Sequence, residues 1–110
     1  MASNQEFVNF VLDQIRGLET VTSRKMFGEY AVYFNGKVIA LICDDQLFVK
    51  PTPEGASFIG EPIMAPPYPG AKPYFLIEEQ LDDREFLMKL FDMTEAVLPV
   101  PKKKANKKIK

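Results

Sequence analysis

Residues 23–50 read SRKMFGEYAVYFNGKVIALICDDQLFVK, and the two turn signals set between their apolar runs decide the fold class. Asn35-Gly36 is the strongest short hairpin signal a chain can carry, because both residues tolerate the positive φ of a type I′ turn. The runs on either side, EYAVYF (29–34) and KVIALIC (37–43), therefore read as two strands of a hairpin. Asp44-Asp45 supplies a second turn. QLFVK (46–50) then alternates Leu47 and Val49 against Phe48, until Pro51 removes a backbone donor and ends the strand. Upstream, TVTSRKMF (20–27) reads as one more strand. Met26 and Phe27 cannot both face inward in a regular strand, so a bend is expected at Gly28, where the missing Cβ lets the chain turn sharply. The stretch predicts an antiparallel meander.

Working outward, Ser3 and Glu6 have the spacing of a capping box, which opens a helix near Asn4. Phe7, Val8, Val11, Ile15 and Leu18 follow at helical spacing as one apolar stripe that needs a sheet to cover. Beyond the meander, Thr52-Pro53 opens a short helix held by Phe58 and Ile59. Five prolines in GEPIMAPPYPGAKP (60–73) exclude a helix or a central strand there. YFLIEE (74–79) resumes a strand. Asp82 and Glu85 then start a last helix with the stripe Phe86, Leu87, Leu90, Phe91, Thr94 and Leu98, closed by Pro99 and Pro101. The order α-β-β-β-β-α-β-α predicts a two-layer α+β domain, an antiparallel sheet with helices packed on one face.

A chain of 110 residues with 46% apolar and 12% aromatic residues can bury one core, so a single domain over residues 1–98 is expected. The formal net charge of −1 hides an asymmetry. KKKANKKIK (102–110) holds six of the 14 Lys and Arg and no acid, which leaves residues 1–101 at 8 − 15 = −7. Residues 99–110 are therefore expected to form a disordered, solvated Lys-rich tail. Lys102, Lys103, Lys104, Lys107, Lys108 and Lys110 are its candidate nucleic-acid contacts, weak and without sequence preference, because no aromatic is interleaved to stack on bases. No apolar run reaches the roughly 18 to 20 residues that cross a bilayer, the first residues have no signal-peptide pattern, and Cys43 has no second cysteine to pair with. A reducing, cytoplasmic setting is expected.

Catalysis finds little support. The chain has no His, the side chain most used for proton transfer near neutral pH and for metal ligation, so no metal is expected. Cys43 sits in an apolar strand without a base and reads as a core residue. Asp44-Asp45 and Asp82-Asp83 have local uses in a turn and at a helix start. The glycines match neither GxGxxG nor a P-loop. The remaining candidate is Arg24-Lys25, which is either a solvated strand start or a small cationic site able to grip a carboxylate or phosphate.

Arg24-Lys25-Met26-Phe27-Gly28, a Tyr-rich strip, NGKVIALICDDQLFVK and a later PYFLIEE before a helix together resemble the amino-terminal domain of the TfoX/Sxy family of bacterial competence regulators, over about residues 4–97. In that resemblance Met26, Phe27, Gly28, Asn35 and Gly36 are structural motif residues, and Arg24 and Lys25 are candidate partner contacts. It implies a two-layer α+β domain, no enzyme and no cofactor. The implied activity is transcriptional co-activation beside the cyclic-AMP receptor protein, through contacts with that protein or RNA polymerase. Longer family members carry a second, helical domain, and only VPKKKANKKIK follows the last helix here. The alternative reading is a stand-alone small-ligand or chaperone-like binding module with a groove under the Pro-rich loop. Nothing in the sequence addresses oligomeric state.

Overall fold

The computed structural model describes residues 4–18, 21–26 and 29–98. Along the chain run α1 (Gln5–Gln14), β1 (Val21–Met26), β2 (Glu29–Phe34), β3 (Lys37–Cys43), β4 (Gln46–Val49), α2 (Pro53–Ile59), β5 (Ile63–Ala65), β6 (Tyr74–Ile77), a 3-10 turn at Glu79–Asp82, and α3 (Arg84–Val97). The strands form one antiparallel sheet in the order β1-β2-β3-β4-β6-β5. The α+β class, the helix-free second face and the expected element order are all found, with β5 and the 3-10 turn added.

The β2–β3 turn follows its chemistry. Asn35 and Gly36 both take positive φ, 54° and 79°, as a type I′ turn requires. Asp44 and Asp45, at 53° and 58°, close β3 onto β4 in the same way. Between Val32 and Tyr33 the β2–β3 register slips by one residue, so Ile39 has no opposite number and turns into the core beside Ala40.

Cross-strand pairing sorts the strand residues into rows. Ser23, Val32, Ala40, Val49 and Phe75 lie in one row, and Tyr30, Ile42, Leu47 and Ile77 in the next, on the face that the helices cover. Against them pack Val8, Val11 and Ile15 from the α1 stripe and Leu87, Leu90 and Phe91 from α3, all fully buried. Phe58 of α2 stacks on Phe86 with ring centroids 5.0 Å apart.

Two expectations are corrected. The cap of α1 is Asn4, whose side chain accepts from the backbone N–H of Glu6; Ser3 lies outside the described residues. The cap of α3 is Asp83, accepting from Phe86, because Asp82 is used up in the 3-10 turn before it. The alternation in β4 holds, with Leu47 and Val49 on the helix side and Phe48 on the other face, where it is buried between Leu41 and Leu76. By contrast α2 starts as expected, with Thr52 Oγ1 accepting from the N–H of Gly55 and Pro53 in the first turn. The expected bend at Phe27 and Gly28 lies outside the described residues; the β1–β2 pairing closes at Met26 and Glu29.

Candidate functional site

β1 is an edge of the sheet, and the cationic pair sits on it. Arg24 stands opposite Ala31 and Lys25 opposite Tyr30. Successive residues of a strand point to opposite faces, so the two cations are divided. Arg24 ends the row Arg24, Ala31, Leu41, Phe48, Leu76 and Ile63, which crosses every strand on the helix-free face. Lys25 ends the row of Tyr30, Ile42, Leu47 and Ile77 on the helix side. They do not converge on one anion from a shared face. Thr22, Ser23, Arg24 and Lys25 are all exposed, and neither cation has an ion-pair partner among the described residues.

A groove flanks β1 on each side. The one toward the helices holds about 440 Å³ between α1 and β1, with Leu12, Leu18 and Val21 as its apolar lining and Asn9, Asp13 and Arg16 among its polar residues. Asp13 is held by Arg16 Nη1 at 3.4 Å and by Arg84 Nη2 at 3.2 Å, which ties the α1 wall to the start of α3. The other, of about 370 Å³, is bounded by Thr22, Ser23, Arg24 and Tyr33. Thr22 and Ser23 line both. The sequence reading missed these grooves because their walls come from residues far apart in the chain. The strand period alone already separated Arg24 from Lys25.

At the other edge β5 is three residues long and carries exposed Ile63 and Met64, with a cavity of about 160 Å³ between Ile59, Glu61, Ile63, Leu76 and Glu78. That is below the roughly 300 to 1,000 Å³ usual for small-molecule sites. A run read as loop supplies this edge, and the signal was present: Ile63-Met64-Ala65 is an apolar triplet bracketed by Pro62 and Pro66, as edge strands tolerate.

The remaining candidates have structural places. Cys43 is buried, and its thiol is pushed up to about 11 by burial first and then by the carboxylates of Glu29 and Asp44. A thiol so placed is almost wholly protonated at neutral pH. Burial also raises the Tyr74 hydroxyl, with smaller effects from Tyr68 and Cys43. Among the described residues no three His, Cys, Asp or Glu side chains gather as a metal site, and no helix is long and apolar enough to cross a membrane. Asn35 and Gly36 form the hairpin turn; Met26 ends β1. Phe27, Gly28 and the six tail lysines, Lys102, Lys103, Lys104, Lys107, Lys108 and Lys110, lie outside the described residues.

Comparison with known proteins agrees with this architecture. The chain is 36% identical over 107 residues, 97% of its length and 93% of the relative's, to a protein of Spirochaeta aurantia described as an uncharacterized 12.7 kDa protein in the trpE 5′ region. The profile of the TfoX N-terminal domain matches residues 13–97, from the end of α1 through α3, and the chain belongs to that family.

Proposed function

We propose that this chain is a regulatory protein-binding module of the TfoX type, acting through contacts with the transcription machinery rather than by catalysis. Its partner on this reading is the cyclic-AMP receptor protein or RNA polymerase. Family membership supports the class of activity. The observation that carries the choice of surface is the exposed edge β1, where Arg24 and Lys25 stand without ion-pair partners among the described residues on a body of net charge −7 over residues 1–101. Unpaired cations cost little in water and become useful when a partner brings an acid and excludes water. The lysines of residues 102–110 add weak, sequence-independent attraction to DNA on this account.

The test is affinity capture from the native cytoplasm with the full chain and with Arg24→Ala plus Lys25→Ala. Both side chains are exposed, so the double variant should melt with the parent and lose transcription proteins from the captured set. Capture unchanged by the double substitution would move the contact elsewhere. A folded double variant that captures nothing transcriptional, like the parent, would remove the regulatory reading.

A further inference from the structure

We infer that the free edge of β1 is a strand-addition site, at which an extended acidic segment of the partner pairs with Val21–Met26 as a seventh strand. The inference rests on the protein-binding reading above and names the form and chemistry of what is bound.

An edge strand turns the N–H and C=O of every second residue outward with no strand to meet them. Of the two edges here, β5 has three residues and is bracketed by Pro62 and Pro66, whose missing N–H groups and fixed φ resist extension of pairing. β1 has six residues and no proline. An added strand also needs room for its side chains, which alternate between the faces. The groove holding Leu12, Leu18 and Val21 lies on the helix side of β1, and the groove between Thr22, Arg24 and Tyr33 on the other. Such paired grooves along one edge are what strand addition uses for specificity, while main-chain hydrogen bonds supply affinity.

Charge selects the occupant. Edge cations guard a strand against pairing with copies of itself, since an antiparallel β1–β1 contact would crowd two Arg24 and two Lys25 side chains into one short ladder. An acidic segment turns that guard into attraction, with its carboxylates facing Arg24 on the helix-free side and Lys25 adding longer-range attraction from the helix side. Apolar side chains on the helix side fill the Leu12–Leu18–Val21 groove.

The probe is a capped octapeptide alternating Glu and Val, titrated into the full chain with anisotropy as readout. Two further forms carry N-methyl groups on all Val or on all Glu residues. In a paired strand the N–H groups of one alternating set face the partner and those of the other set face away. One methylated form should therefore lose binding and the other keep it. Equal loss or equal retention would overturn strand addition, as would absence of binding up to about 1 mM peptide. Arg24→Glu plus Lys25→Glu should weaken binding by about five-fold or more, the scale of one cross-strand charge pair, and restore it to a Lys-Val octapeptide. If that variant does not fold, the methylated pair decides by itself. Self-association of the chain that the peptide does not displace would assign the edge to a second copy and overturn the inference. Peptides that fail while capture still depends on Arg24 and Lys25 would refute strand addition and leave the protein-binding reading standing.

Discussion

Lys37 Nζ lies 3.1 Å from Glu95 Oε2 and donates to the backbone oxygens of Glu95 at 2.8 Å and Leu98 at 2.9 Å. The first residue of β3 thus caps the carboxyl end of α3, where carbonyls lack intrahelical partners and the helix dipole favours a cation. The contact joins the hairpin made by Asn35-Gly36 to the last helix across 58 residues of chain. Lys37→Met keeps the stem and removes the charge. It should cost roughly 1.5 to 3 kcal/mol, as for hydrogen bonds to a charged group. Urea unfolding reads this as a lower midpoint at unchanged slope; a parental midpoint would show that water replaces the contact without loss.

Gly55 is required for closeness rather than for an unusual backbone angle. A Cβ there would stand 2.9 Å from Phe75 Cε2 and 2.9 Å from Thr52 Oγ1, with Leu90 Cδ1 at 3.4 Å. Phe75 is buried in the core and cannot swing away. Gly55→Ala, which favours an isolated helix, should therefore destabilise this protein by about 1 to 3 kcal/mol through overpacking. A variant that melts at or above the parent would mean that α2 is free to lift from the sheet.

The Cys43 thiol should resist alkylation. With its value raised from the ordinary 9.0 to about 11, the thiolate at pH 7 is some hundred-fold scarcer than in an unshifted cysteine. The raised value means that folding favours the protonated form. Its contribution is complete below pH 9 and is lost as pH climbs through about 11. Iodoacetamide modification of the native chain at pH 7 should be slow and should become rapid in denaturant. Native labelling as fast as in denaturant would place the thiol at the surface.

The lysines of residues 102–110 should give DNA binding that fades with salt. Six phosphate contacts imply a slope of about −5 in log affinity against log salt concentration. A chain ending at Pro101 should lose this binding to a labelled duplex at low salt. Equal binding by both chains would remove residues 102–110 as the contact, and salt-insensitive binding by the shorter chain would move the site to the folded body.

The sequence by itself determined the elements whose signals are local. Asn35-Gly36 and Asp44-Asp45 demanded turns, strand alternation set Leu47 and Val49 against Phe48, and the 3.6-residue stripes of Val8, Val11 and Ile15 and of Leu87, Leu90 and Phe91 marked the faces that the helices bury. These follow from backbone sterics and period, which neighbours in the chain suffice to set. Tertiary structure decided what depends on distant partners. Asn4 caps α1, and its own N–H is held by Asp45 of the β3–β4 turn. Ile63–Ala65 becomes a strand because β6 leaves an edge for it to pair with. Phe48, on the helix-free face, is buried because the side chains of Leu41 from β3 and Leu76 from β6 flank it there. The groove beside Val21 exists because α1 crosses the sheet there, bringing Leu12 and Arg16 to a strand that the sequence could name but could not place at an edge. Strand order is set by which apolar faces close over one core, a sum over the whole chain that no local pattern contains.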